Sequence, residues 1–204
     1  MSGKEEKFWE KFCESLIRLR NAGEMLQQLV HGTVAEQEGQ NEIHKLALAE
    51  RSARPLLYER MYRAFHGQAE SETVRLLVEK AESLIAETDE VALLPLLYAS
   101  SEDQKMAMLA ELVQHALQEL ERMAGYSSTL EENYMKAEAR AQKILNYEIR
   151  GITCYREALR QLMEETRGPA SLVWQKEIYE RLRHMLVEAA DCAVLYRETC
   201  GISG

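Results

Sequence analysis

At 204 residues, with 46% hydrophobic and 29% charged side chains, the chain has the make-up of a soluble globular protein and is long enough to bury about 70% of its unfolded surface, so neither metal nor disulfide is required for folding. Its formal net charge of −9 repels a phosphate backbone and argues against DNA or RNA as partner. The longest apolar run, Val91 to Leu97, is far short of the ~20 residues that span a bilayer, and MSGKEEKFWEKF at the N-terminus lacks the apolar centre of a signal peptide; a cytoplasmic protein without membrane insertion is expected, at most peripheral to the inner face of the membrane.

Only 10 Gly and 3 Pro interrupt the sequence, and Ala, Leu, Glu, Gln, Arg and Met favour helix throughout. No segment alternates with period two, so no strand is expected. The first helix is predicted from Lys4 to Val30, where Phe8, Phe12, Leu16, Leu19, Leu26 and Leu29 mark one buried face, with Gly32 as its C-terminal residue. The second is predicted to begin after Gly39 and to end near Phe65, with Pro55 bending it around Ala49 to Arg54.

A third helix starts near Glu70-Ser71 and carries Val74, Leu77, Val78, Ala81, Leu84 and Ile85; Thr88-Asp89 and Pro95 are alternative ends. Ser100-Ser101-Glu102 offers serine caps and an acid for a fourth helix reaching Met123 or Ala124. The fifth runs from Ser127-Ser128 to about Thr166, with Gly151 as a candidate bend, and the sixth from Ala170 to Thr199 after Gly168-Pro169. Long amphipathic helices bury their stripes against each other. The expected fold is all-α, an elongated six-helix antiparallel bundle forming a single domain over 1–204.

YERMYRAF, Tyr58 to Phe65, and YREALRQL, Tyr155 to Leu162, match in phase at an offset of 97, so two three-helix repeats are expected, about 4–98 and about 101–200. The nine methionines read as core filling. Cys13, Cys154, Cys192 and Cys200 show no CxxC spacing and read as buried or half-buried thiols in a reducing compartment. Tyr155 and His115 read as satisfied core residues. No phosphate loop, dinucleotide motif, HExxH or nucleophile elbow is present, and no histidine has a glutamate three residues before it, as a ferritin-like di-iron site requires. A non-enzymatic protein is expected.

Four stretches, IHKLALAERSARPLLYERMYRAF, SETVRLLVEKAESLIAE, ILNYEIRGITCYREALRQLM and WQKEIYERLRHMLVEAADCA, together resemble the PhoU-like family of phosphate-transport regulators, in particular the single-chain branch that accompanies Pit-type transporters. The resemblance implies a six-helix bundle of two repeats and a role as accessory protein, docking on a membrane phosphate transporter or a signalling protein. It also implies E-x-x-x-D motifs, in which carboxylates one helical turn apart hold iron or zinc.

Carried over by position, those motifs are broken. The second helix has Ala47 and Arg51 at the acidic positions, or Arg51 and Pro55 if the internal offset is used; the third has Glu82, Ser83 and Ala86; the fifth has Glu148 and Ile152; the sixth has Glu180, Arg183, Val187 and Asp191. No cofactor is therefore expected, with Glu82, Glu148, Glu180 and Asp191 as the residual metal candidates. Glu180, His184 and Glu188, four apart on one face, form a weaker surface alternative. Arg18, Arg20, Arg51 and Arg54 are candidates for contact with an acidic partner. The long apolar faces are compatible with a homo-oligomer. Competing readings are a metal-binding bundle with a rebuilt carboxylate site and a generic interaction scaffold.

Overall fold

The computed structural model describes residues 2–98, 103–164 and 169–201. Among the described residues there are α1 (Gly3–Val30), α2 (Glu36–Ala64), α3 (Gln68–Tyr98), α4 (Gln104–Ala124), a 3-10 turn (Ser127–Thr129), α5 (Leu130–Glu164) and α6 (Pro169–Thr199), and no strand. The chain is an all-α bundle.

Helix starts and stops follow local chemistry. Ser2 and Glu5 close a reciprocal capping box on α1, and Gly32, at φ 65°, ends that helix. Pro169 opens α6 at the first helical position, where its missing N–H costs nothing. Helix α4 is capped by Asp103, whose Oδ1 accepts from Lys105 N at 2.9 Å and Met106 N at 3.1 Å. The serine start expected at residues 100–102 lies outside the described residues, as do residues 165–168 at the expected end of the fifth helix.

One expected boundary is corrected, and one left open is fixed. Helix α2 starts at Glu36, not after Gly39. Gly39 is buried inside the helix because a Cβ there would stand 2.6 Å from Leu29 Cγ; it is a close-approach glycine, not a breaker. As expected, α2 runs on through Pro55, which lies on its exposed side. Of the two ends open for α3, the helix passes Thr88-Asp89 and reaches Tyr98; the buried Thr88 hydroxyl donates to Leu84 O at 2.7 Å within the helix. Gly151 sits inside continuous α5, where it makes room for the Leu186 side chain.

The register between helices is legible from their polar contacts. Along α1 and α2, Arg18 meets Glu50 and Phe8 meets Phe65, while Gly39 lies under Leu29. Partner numbers fall on one helix as they rise on the other, so the pair is antiparallel. The same holds for α2–α3 (His44–Asp89, Arg54–Glu82), α4–α5 (Lys105–Glu157, Arg140–Glu119) and α5–α6 (Glu138–Arg197, Gly151–Leu186). It holds again for α3–α6 (Lys80–Asp191, Arg181–Glu87) and α1–α4 (Arg20–Glu121, His31–Glu111). Helices α4 and α6 run parallel: Tyr179 bonds Asp103 at one end, and Tyr196 Oη donates to Met123 O at 3.0 Å at the other.

One continuous core fills the bundle, with Phe8, Phe12, Leu26, Ile43, Leu77, Leu117, Leu182 and Tyr196 fully enclosed. Met61, Met106, Met123 and Met185 belong to it, whereas Met108, Met135 and Met163 face outward, so core filling accounts for only some of the methionines. Cys154 and Cys192 are buried, Cys13 and Cys200 half-buried, and all four are free. Burial pushes the Cys13 and Cys200 thiols up to about 11, which leaves them protonated and unreactive at neutral pH. Among the described residues no helix is long and apolar enough to cross a membrane.

Candidate functional site

The apolar stripe of α2 runs Ile43, Ala47, Leu57, Met61, and Glu50 stands in phase with it. A carboxylate there must be buried, and a buried charge persists only if paired and hydrogen-bonded. Glu50 is 3% exposed. Ser15 donates to its Oε1, and Arg18 Nε and Nη2 both lie 2.7 Å from its Oε2. Helix α1 thus supplies a hydroxyl and a guanidinium to one carboxylate on α2.

Across α2 from that pair stands Glu82 of α3. Its Oε2 accepts from Tyr58 Oη at 3.4 Å, and its Oε1 lies 3.2 Å from Arg54 Nε without the alignment of a hydrogen bond. Burial pushes the Glu82 carboxyl upward, Arg54 opposes that shift, and the nearby Glu50 charge adds to it. Ala47, Glu50, Arg51, Arg54, Glu82, Ile85 and Ala86 enclose a cavity of about 100 Å³, so residues matched to the family's acidic positions on the second and third helices do meet in space. Two carboxylates and two arginines line it.

The remaining candidates gather elsewhere. Lys80 of α3 reaches α6, where its Nζ lies 2.5 Å from Glu188 Oε1 and 3.0 Å from Asp191 Oδ2. Partial burial disfavours the ammonium, but the bonds to Glu188 and Asp191 outweigh that and raise its pKa. Glu148, half-buried on α5, is pushed upward by burial and by the Asp191 charge, with Arg183 pulling the other way. The Arg183 guanidinium covers the Tyr155 ring at 5.3 Å, a cation–π contact.

Glu180 joins none of these groups: it is exposed, with Lys176 Nζ 3.7 Å away. The Glu180–His184–Glu188 alternative does not converge either. His184 Nε2 is 3.7 Å from Glu188 Oε1, and Glu188 is already held by Lys80.

The four metal candidates therefore lie in three places. Glu82 faces Glu50, Glu148 lies near Asp191, and Glu180 stands apart. Among the described residues no group of three or more His, Cys, Asp or Glu side chains is placed to hold a metal ion. The donor set does not fit an iron or zinc cluster of the family type, which needs several oxygens converging on one point; here each converging carboxylate faces a tethered guanidinium or ammonium.

The same geometry divides the arginine patch. Arg18 is turned to Glu50, Arg54 to Glu82, and Arg20 lies 3.7 Å from Glu24 and 3.6 Å from Glu121; Arg51 and Arg54 are exposed, beside the cavity. His115 is exposed rather than part of the core, with its ring 5.7 Å from that of Tyr147. A larger open cleft of about 550 Å³ lies near the ends of α1 and α6, bordered by Glu5, Trp9, Phe65, Ser128 and Cys200, away from all four candidates.

Glu50 and Lys80 were absent from the residues singled out in the sequence, and Glu188 entered only with Glu180 and His184 as a surface alternative. Their signal was available for Glu50 and Glu188: each is a charged residue set into an apolar stripe, a position where charge demands a partner. Compared with known proteins, the chain matches no protein-family model, and no curated protein matches it.

Proposed function

We propose that this chain is a non-enzymatic accessory protein of phosphate transport, a divergent PhoU-like bundle that acts by binding a transporter or signalling partner at the cytoplasmic side of the membrane. The four stretches that resemble the family support this reading, as does the all-α six-helix bundle. Matched helix pairing in the two halves, α1–α2 with α4–α5 and α2–α3 with α5–α6, supports its two-repeat origin.

The observation that carries the binding role is the counter-charging of the in-phase carboxylates by Arg18, Arg54 and Lys80. Acids neutralised inside the bundle are framework, and a rigid helical framework recognises partners through its outer faces. Deletion of the gene in its native host, followed by phosphate-uptake and phosphate-starvation assays, tests the proposal. Altered uptake or signalling is expected; unchanged uptake together with unchanged signalling contradicts it.

A second reading, a metal-binding protein with a rebuilt site, rests on the proximity of Glu148 to Asp191, whose charge raises the Glu148 carboxyl. Elemental analysis of protein purified without chelator decides it: less than about one-tenth of a metal atom per chain dismisses it, because a stable structural site binds tightly.

A further inference from the structure

Helix α5 has two opposed faces. Ala137, Ala141, Ile144, Gly151, Cys154, Ala158 and Leu162 form its buried row. On the opposite side Met135, Ala139, Gln142, Asn146, Ile149, Thr153, Arg156, Arg160 and Met163 follow one another at steps of four and three, and every one is exposed. Met135 is 72%, Ile149 61% and Met163 89% exposed. Alternating four- and three-residue steps make a seam that winds slowly around the helix, the spacing by which one helix packs along another. The seam carries no acid, and it extends for about 42 Å at 1.5 Å per residue.

The row beside it decides what covers it. Lys136, Lys143, Arg150, Glu157 and Glu164 recur every seven residues along one edge of the seam, and all are exposed. The first three are basic and the last two acidic; within the chain Lys143 lies 3.7 Å from Glu119 and Glu157 pairs with Lys105, so a second copy shares these two charges. A second copy laid antiparallel, centred near Ile149, sets Lys136 against the partner's Glu164 and Lys143 against the partner's Glu157. By the two-fold symmetry of such a pairing each contact occurs twice. The same alignment brings Ile149 near its own counterpart and the Met135 end against the Met163 end. A parallel two-fold alignment instead turns this row away from its own copy and forms none of these pairs. Arg150, whose guanidinium lies 5.9 Å from the Tyr147 ring, meets its own copy at the centre, the one like-charge contact in the antiparallel arrangement.

We propose that the outer face of α5 is a self-association surface that pairs two copies of this chain antiparallel about Ile149. This inference is independent of the phosphate-transport reading. A single-helix seam of mixed polarity belongs to the small, weak class of interfaces, so the dimer exchanges at about 10–1000 µM and weakens as salt screens its edge pairs.

Sedimentation of the full chain across that concentration range is the experiment, with thermal unfolding as the folding control. Ile149→Arg is expected to weaken association at least about tenfold while the exposed site leaves the fold intact. Two double variants make the register testable. Lys136→Glu with Lys143→Glu, and Glu157→Lys with Glu164→Lys, each set like charges together in a homodimer and are expected to be monomeric alone. An equimolar mixture of the two restores all four edge pairs and is expected to give a heterodimer. A wild type that stays monomeric to about 1 mM overturns the proposal. So does a dimer indifferent to Ile149→Arg, and a mixture of the charge variants that fails to associate refutes the antiparallel register.

Discussion

The α1–α2–α3 polar group and the α3–α5–α6 polar group are built from the same materials and differ in burial. Glu50 keeps only 4% of its side chain exposed and is held by Ser15 and Arg18 together. Asp191 keeps 49% exposed and shares Lys80 with Glu188. Removing the cation from the first group strands a charge away from water; removing Lys80 from the second lets water reach Asp191 but leaves Glu188 covered. The first group therefore weighs more on the fold than the second, which is open to water at its Asp191 end.

Arg18→Ala should show the largest effect. It leaves Glu50 buried with only a hydroxyl partner, and breaking such a pair costs about 3–5 kcal/mol. Chemical denaturation should report that loss, and adding Glu50→Leu should recover much of it, since the stranded charge is then gone. A loss below about 1 kcal/mol would place Glu50 with the surface pairs and remove the distinction between the groups.

Lys80→Ala should cost less, about 1–2 kcal/mol, because Glu188 is largely covered and Asp191 is not. Its effect should shrink in 1 M salt, where the Debye length is about 3 Å, whereas the Arg18 effect should not. Arg183→Ala should be smaller again, about 0.5–1 kcal/mol from the lost contact with Tyr155.

Glu148→Gln should change sign relative to these. Burial and Asp191 raise the folded carboxyl above its usual range, so ionisation is harder in the folded chain than in the unfolded one. The wild type consequently loses stability as pH rises through and above the carboxylate range, and the glutamine variant does not. The variant should melt higher than wild type at pH 7, with the gap closing as pH falls below about 4, where Glu148 is protonated in both states. A gap that widens toward acid pH would show the opposite shift.

Much of the fold was legible because helices are written in short-range periodicity. Phe8, Phe12, Leu16 and Leu19 announce a buried face within a dozen residues, and the structure buries them all. Element boundaries were less legible where tertiary contact overrode local preference. Gly39 reads as a breaker in isolation, yet it is helical because Leu29 needs the space. Thr88 reads as a stop, yet its hydroxyl is satisfied inside the helix.

The site was legible only in part. The sequence located Glu82 and Asp191, but their neighbours Glu50 and Lys80 depend on register between helices. Arg18 and Glu50 are 32 residues apart, and Lys80 and Glu188 are 108 apart. No local pattern sets those distances; the packing of apolar stripes does. What could have been read is that Glu50, in phase with Ile43, Ala47 and Leu57, required a cation from another helix.

The bundle neutralises its inward carboxylates with its own arginine and lysine side chains. The sharpest test is thermal unfolding of the wild type in chelator, without additive, and with zinc(II) or iron(II). A metal bound at 100-fold above its dissociation constant adds about 2.7 kcal/mol to folded stability, a rise of about 5–10 °C for a chain of this size. Coincident midpoints are expected in all conditions; a rise of that size with metal, lost on chelation, would show that the carboxylates are free to bind a cation.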